Sequence, residues 1–365
     1  MYSVEELQIE LRRPEKKKNK RILWIFRTNL RQLEYYHKFT ALDDFKTYCH
    51  DFYLLMGLWY LENDIFDEVI VWRLQPKDCE MNDITFTIRD KKFIQKFTSS
   101  FYKVVELPKP NISFFRGGFQ EYCMITKRQP AHFGVGLYLG AGRRVFPQYG
   151  GRYKKVLVES DEDLKHSLTA PFFKTANSTI FYPIQINNLE YDLCWVCNFT
   201  QINYKGQEYF IEQVSKSKYL KSLKIVHIGN EPEKGVKLCN KFDVSNIKFL
   251  GYMIRPEVNT FLNRSKVALV ASDENDGSPR VITEILSSCI PLLIREKTRV
   301  LSFYKEKGVV EFKDNELEDK TRYALANRDS LKQELIRNLD TISLGQICIL
   351  NYRIWIEPQK NIKTL

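Results

Sequence analysis

The sequence predicts an α/β protein made of two Rossmann-like, doubly wound domains. Short apolar runs alternate with stretches of helical spacing in the first half of the chain, which is the pattern of βαβ units. That pattern lapses near residues 183–190 and then restarts more regularly. The chain has 365 residues, a length that suits two domains of ordinary size.

In the first half, continuous apolar runs predict strands, because strands buried on both faces of a parallel sheet carry few polar residues. Apolar residues repeating every three or four positions predict helices. On this basis we predict strands at 21–27, 67–74, 112–115 and 155–158, and helices at 43–63 and 93–101.

The second half gives the clearer alternation. We predict strands at 191–197, 223–228, 247–251, 266–271 and 290–294, and helices at 207–214, 257–265, 279–288 and in the tail at 330–356. The resulting division is an N-terminal domain (1–188), a C-terminal domain (189–345), and a C-terminal helix (346–365) that returns to the first domain.

The excess of positive charge is concentrated near the N-terminus. The formal net charge is +11, and residues 11–21 contribute six of these charges through seven Lys and Arg side chains and one Glu. Such a charge suits nucleic acid, an anionic membrane surface or a phosphorylated substrate. No recognised nucleic-acid motif accompanies the cluster. We therefore expect no nucleic-acid partner and retain a peripheral membrane contact through residues 11–21.

Composition also indicates a cytoplasmic protein. The longest apolar run, at 52–61, is about half of the ~20 residues that a membrane-spanning helix needs. We expect no signal peptide, because residues 1–13 are polar and acidic. The eight cysteines are then expected to be reduced thiols.

Four short segments, each following a predicted strand of the second half, are the candidates for chemistry. The carboxyl ends of parallel strands meet at one edge of a sheet, where α/β folds bind ligands, so we expect the segments to lie together. They are Lys205-Gly206, Gly229-Asn230, Tyr252-Met253 and Asp276-Gly277-Ser278.

The fourth segment predicts an anion site. Ser278 suits the N-cap of a helix and Pro279 its first position, so the N–H groups of residues 280–282 would point towards an anion. Glu284 shares a face with this helix start, which places a carboxylate near the hydroxyls of a ribose. Asp276 lies just before the helix and would reach what lies beyond the phosphates.

These segments resemble the nucleotide-binding domain of retaining glycosyltransferases of family 4, which have the GT-B fold. That family has two acidic residues separated by seven positions, with Gly after the first; here they are Asp276, Gly277 and Glu284. The resemblance spans about residues 191–312 and implies two domains facing each other across a cleft, with the acceptor side on the N-terminal domain and the nucleotide sugar on the C-terminal one. The other matching segments are Lys205-Gly206, Ile228-Gly229-Asn230 and Phe249-Leu250-Gly251-Tyr252.

The resemblance implies a role for each matching residue. Asp276 and Lys205 would be catalytic, with Asp276 binding the transferred sugar and Lys205 neutralising the donor diphosphate, while Glu284 would bind the ribose. The other donor-binding residues would be Gly277, Ser278, Pro279, Arg280, Val281, Gly229, Asn230, Tyr252 and Met253. Because the family usually needs neither a metal nor another cofactor, we expect none.

The resemblance further implies a hexosyltransferase that retains anomeric configuration. The donor would be a nucleotide sugar, with GDP-mannose slightly preferred over a UDP-hexose, and the acceptor a sugar, a glycan or a lipid-linked molecule. The oligomeric state stays open, a dimer included. Two alternatives remain: a non-enzymatic basic protein that binds nucleic acid or an anionic membrane, and a glycosyltransferase-like fold without activity.

The sequence departs from the family pattern at three places. The first acid is Asp instead of the usual Glu. Residues 198–200 (Asn-Phe-Thr) stand where the family usually has an Arg before the Lys, and Arg280 is the candidate replacement. The Gly-rich loop usual after the first strand is absent at 28–31, so residues 1–190 match in topology only.

Two further motifs favour structural interpretations. The Gly-rich stretch 134–142 resembles a dinucleotide loop, but no predicted strand precedes it, so we prefer a loop near the cleft to an NAD site. Its candidate cleft residues are His132, Gly140 and Gly142. Cys194 and Cys197 have no second CxxC partner, which favours buried structural thiols over a zinc site.

Overall fold

The computed structural model describes residues 20–27, 39–75, 81–99, 104, 110–116, 135–139, 155–165, 169–199, 204–306 and 308–356. The chain divides into two compact units. The first unit comprises residues 1–158, 163–173 and 344–365, and the second comprises residues 159–162 and 174–343.

Helices occur in both units. In chain order they are α1 (Leu42–Tyr48), α2 (Phe52–Glu62), α3 (Gln207–Lys216), α4 (Lys218–Ser222), α5 (Pro232–Phe242), α6 (Arg255–Asn263), α7 (Arg280–Ser287), α8 (Leu317–Ala326), α9 (Arg328–Asn338) and α10 (Leu344–Ile356).

The first unit is built on a mostly parallel sheet. Its strands are β1 (Ile22–Arg27), β2 (Glu68–Leu74), β3 (Ile84–Ile88), β4 (Lys91–Thr98), β5 (Ile112–Arg116), β6 (Val135–Leu139), β7 (Lys155–Val158) and β8 (Thr169–Pro171). Their order across the sheet is β3-β4-β2-β1-β5-β6-β7-β8. Within the described ranges, β3 and β4 form the antiparallel pair, and the other neighbours are parallel.

Two predicted helices of this unit differ in the structure. The helix predicted at 43–63 is two helices, because Asp51 starts a second one by accepting a hydrogen bond from the Tyr53 N–H at 3.0 Å. The prediction of a helix at 93–101 is wrong, because residues 93–98 belong to β4. Strand β4 pairs with β2 on one side and β3 on the other, and alternate side chains such as Phe93 and Gln95 are fully buried.

The C-terminal helix α10 belongs to the first unit. The Tyr60 hydroxyl of α2 donates to the Cys348 carbonyl oxygen at 2.8 Å. Asn351 bonds both backbone groups of Phe173, accepting from its N–H at 3.0 Å and donating to its carbonyl at 2.8 Å. Trp355 at the end of the helix is fully buried and packs its ring against Tyr60.

The second unit has an entirely parallel sheet in its described residues. Its strands are β9 (Tyr191–Val196), β10 (Ile225–Ile228), β11 (Ile247–Phe249), β12 (Ser265–Val270), β13 (Leu292–Arg295) and β14 (Val309–Phe312), in the order β11-β10-β9-β12-β13-β14. The five strands predicted for this half are present, while β14 and α5 were not predicted.

The segment before β9 packs with the second unit. The Tyr304 hydroxyl accepts from the Lys174 N–H and donates to the Lys174 carbonyl, each at 2.6 Å. Further along, the Ile184 N–H donates to Asn263 Oδ1 at 2.7 Å. These bonds to residues of the second unit explain why the boundary lies after Phe173 rather than at the predicted residue 188.

Candidate functional site

The four predicted segments lie at one edge of the second sheet. They follow β9, β10, β11 and β12, which are neighbours in the order β11-β10-β9-β12 and run parallel. Backbone hydrogen bonds tie the loops together. The Gly229 N–H donates to the Gly251 carbonyl at 2.9 Å, and the Asp273 N–H donates to the Tyr204 carbonyl at 2.9 Å.

Lys205 and Asp276 form an ion pair at this edge. Lys205 Nζ donates to both Asp276 carboxylate oxygens at 2.7 Å. The Asp276 side chain is 7% exposed and that of Lys205 is 23% exposed. The Ser272 hydroxyl also donates to Asp276 Oδ2 at 2.7 Å. The carboxylate is therefore fixed by two neighbours, while one of the three ammonium N–H groups of Lys205 is left for a ligand.

Helix α7 begins one residue later than predicted. Pro279 is the N-cap, with an extended backbone (φ −65°, ψ 127°) and no side-chain cap, so the prediction of Ser278 as N-cap and Pro279 as first helical residue is wrong. The Ile282 N–H donates to the Pro279 carbonyl at 3.2 Å. Of the three amides predicted to face an anion, those of Arg280 and Val281 therefore remain as candidates.

Glu284 lies on α7, about one helical turn (~6 Å) after this start. Its side chain is 7% exposed, and its two oxygens lie 2.8 and 3.0 Å from Arg255 Nη1. Arg255 is the first residue of α6 and stands two residues after Met253. It was not among the predicted site residues, although extending the third segment by two residues would have included it.

A second missed cation supports the loop before α7. Lys174 Nζ lies 2.9 Å from Glu159 Oε2 and donates to the Ser278 carbonyl at 3.3 Å. The Lys174 side chain is 7% exposed. No local pattern reveals this contact, because it joins residues more than a hundred positions apart.

The other predicted residues surround these two ion pairs. Tyr252 is 73% exposed, whereas Met253 is half-buried and Asn230 and Gly277 are exposed. The Asn230 N–H donates to Asn198 Oδ1 at 2.9 Å. Arg280, the predicted replacement cation, is exposed at the helix start. The candidate cleft residues His132, Gly140 and Gly142 lie outside the described residues.

Of the thiols and the histidine near this edge, Cys194 and His227 are buried and Cys197 is half-buried. Burial raises the pKa of Cys194 to about 12 and also raises the pKa of Cys197. His227 is fully buried among aromatic rings, and its Nε2 lies 2.9 Å from the Cys197 carbonyl oxygen. Over the described ranges, His, Cys, Asp and Glu side chains form no group of three that could hold a metal ion.

His227 should make the stability of the protein depend on pH. Burial lowers its pKa to about 4, against about 6.5 in an unfolded chain. Between these values the unfolded chain binds a proton that the folded protein does not. The stabilisation is therefore complete above pH ~6.5 and is lost as pH falls to ~4, by at most about 3 kcal/mol.

Urea unfolding of the wild-type protein and His227→Gln between pH 7 and 4.5 measures this contribution. We expect the unfolding free energy of the wild type to fall more steeply than that of the variant, in which Gln retains a donor for the Cys197 carbonyl. Parallel pH curves would contradict the assignment.

Comparisons with known proteins agree with this architecture. Residues 190–327 match the family model described as glycosyl transferases group 1. No curated protein matches the chain significantly. Within the described part of the chain, none of the helices combines the length and apolarity needed to cross a bilayer.

Similar solved structures extend the match over nearly the whole chain. A sucrose-phosphate synthase from Thermosynechococcus elongatus is 10% identical, with a TM-score of 0.63 over 92% of this chain and 98% of that one. A glycosyltransferase from Rickettsia africae is 14% identical, with a TM-score of 0.63 over 94% and 100%. Anabaena HepE, solved in complex with UDP, is 10% identical, with a TM-score of 0.60 over 94% and 100%. The chain therefore has the fold of GT-B glycosyltransferases, and its residues 190–327 are similar to the glycosyl transferases group 1 family.

Proposed function

We propose that this protein is a retaining glycosyltransferase that transfers a hexose from a nucleotide sugar to a sugar, a glycan or a lipid-linked acceptor. The observation that carries the proposal is the convergence of Lys205, Asp276 and the start of α7 at the carboxyl edge of one parallel sheet. This edge is where doubly wound folds bind nucleotides.

Each group has a task in the proposed reaction. The third N–H of Lys205 and the amides of Arg280 and Val281 would bind the donor diphosphate, Glu284 the ribose hydroxyls and Asp276 the transferred sugar. As the bond between the anomeric carbon and the phosphate oxygen breaks, negative charge grows on the leaving group. Preorganised cations and amides stabilise that charge, so the protein's own groups would replace a metal.

For the retaining outcome we propose attack from the side of the leaving group. The acceptor hydroxyl oxygen forms the new bond to the anomeric carbon, its proton passes to the departing phosphate oxygen, and the nucleoside diphosphate is released. This route needs no enzyme nucleophile on the opposite face of the sugar. In product analysis, the anomeric proton coupling seen by NMR should match that of the donor.

The first experiment is calorimetry of the protein against UDP-glucose, GDP-mannose and ADP-glucose. Because similar structures include one solved with UDP, we place UDP-hexose beside GDP-mannose as the donors to test first. Binding of one nucleotide sugar, followed by transfer in the presence of acceptors, supports the proposal. Binding of none of them would refute it.

Tyr252 is expected to stack on the base of the donor. It is the most exposed of the large apolar side chains in the described residues and stands in the loop after β11. Base–aromatic stacking contributes about 1–3 kcal/mol, so Tyr252→Ala should weaken nucleotide binding about fivefold to a hundredfold, and Tyr252→Phe should not. Tyr323→Ala, which removes a 52% exposed tyrosine on α8, is the control. If Tyr252→Ala binds the nucleotide as tightly as the wild type, Tyr252 does not stack on the base.

A further inference from the structure

Arg255 is a partly buried cation at the candidate site that keeps hydrogen-bonding capacity while paired with a carboxylate. Its Nη1 is engaged by Glu284, and no other described residue accepts a bond from its guanidinium group. A guanidinium carries five N–H donors in a planar fork. The Nε and Nη2 donors therefore remain, on a side chain that is 31% exposed.

Each of the two ion pairs is neutral overall and brings no net positive charge to an anionic ligand. Lys205 is balanced by Asp276 and Arg255 by Glu284, whereas the diphosphate of a nucleotide sugar brings negative charge. An arginine can keep one carboxylate on one nitrogen and still present its remaining fork to a phosphate, because its donors point in fixed, separate directions.

The other cations are less suited. Lys174 is 7% exposed and already contacts Glu159 and the Ser278 carbonyl. Arg280 is exposed at the start of α7, where the positive end of the helix dipole disfavours a cation. Arg255, in contrast, contacts the carboxylate that lies one turn from that helix start.

Building on the proposed function, we propose that Arg255 binds the donor's diphosphate through Nε and Nη2 while Nη1 holds Glu284 in place. Arg255 thus joins the two halves of the nucleotide, with phosphate on one side of the guanidinium and the ribose-binding carboxylate on the other. It supplies the second cation that residues 198–200 do not provide.

The test separates a phosphate contact from mere support of Glu284. Calorimetry compares Glu284→Gln with the double variant Arg255→Met/Glu284→Gln, using UDP, GDP or ADP, whichever the wild type binds, and the matching nucleoside. Glu284→Gln removes the carboxylate, so no unpaired buried charge remains when Arg255 is replaced. Arg264→Met is the control, since Arg264 caps the other end of α6 and pairs with Glu190 on the surface.

Adding Arg255→Met to Glu284→Gln should weaken diphosphate binding about tenfold to a hundredfold and leave nucleoside binding unchanged. In the same Glu284→Gln background, Arg255→Lys keeps the charge without the fork. Its affinity for the diphosphate should lie between that of the protein with Arg255 and that of Arg255→Met. Equal losses for diphosphate and nucleoside, or no loss for either, would overturn the proposal while leaving the proposed function intact. A wild-type protein that binds no nucleoside diphosphate would overturn both.

Discussion

Replacing Lys205 with Met is expected to lower the rate of glycosyl transfer about 10²–10³-fold, the usual cost of removing one preorganised group that stabilises a leaving-group charge. The methionine side chain fills similar space, so the sugar and ribose contacts should survive. Steady-state kinetics with the donor identified by calorimetry measure the effect. A rate within tenfold of the wild type would contradict the role of Lys205 in catalysis.

The same variant should also be less stable, because it leaves a buried carboxylate without its charged partner. Asp276 is 7% exposed and loses its bonds from Lys205, keeping that from the Ser272 hydroxyl. Removing one partner of a buried ion pair costs about 3 kcal/mol or more. Lys216→Met, at the end of the helix α3 that follows Lys205, breaks an exposed pair with Glu212 and should cost less than ~0.5 kcal/mol.

A double variant distinguishes the chemical from the structural effect of Lys205. Lys205→Met/Asp276→Asn removes both charges, so most of the lost unfolding free energy should return. Because Asp276→Asn also removes the carboxylate assigned to the sugar, the rate is compared with that single variant, and the double variant should be slower because the cation that faces the diphosphate is missing too. Equal rates for these two variants would mean that Lys205 acts only by holding Asp276.

The sequence predicted the second sheet well because its strands are short, buried and apolar. Buried parallel strands cannot carry many polar side chains, so polar and glycine residues stand out where the strands end. That contrast located Lys205, Asp276 and Glu284. It did not identify Arg255, because the ion pair with Glu284 joins two different helices. It did not identify Lys174 either, because the contact with the Ser278 carbonyl joins residues far apart in the sequence.

Strand β4 shows where local periodicity is insufficient. The sequence 91–98 (KKFIQKFT) places Phe93 and Phe97 four residues apart, as in a helix, and also on alternate positions with Gln95, as in a strand. Pairing with β2 and β3 decides in favour of the strand. Pairing with the preceding strand β3 and with the more distant β2 thus overrides the helical pattern.

Gly206→Ala is expected to destabilise the protein strongly. Gly206 has a left-handed backbone (φ +72°), and an added Cβ would lie 1.9 Å from the Ala271 carbonyl oxygen. The Ala271 carbonyl belongs to the backbone directly after β12, so it cannot move away from the added Cβ at low cost. We expect a loss of about 3 kcal/mol or more in unfolding free energy, measured by urea denaturation.

Two other glycines at the same edge separate the causes of this loss. Gly251 is also left-handed (φ +76°), but the nearest atom to its added Cβ is Pro232 Cγ at 3.8 Å, and Gly277 has no atom within 4 Å. Gly251→Ala should therefore cost only the backbone strain, about 1 kcal/mol, and Gly277→Ala should be nearly neutral. If all three variants lose the same free energy, the close approach of Gly206 to β12's carboxyl end is not what fixes Lys205. If the loss of unfolding free energy instead decreases from Gly206→Ala to Gly251→Ala to Gly277→Ala, the close approach itself requires glycine at position 206. That approach brings the loop of Lys205 against the end of β12, the strand that leads to Asp276.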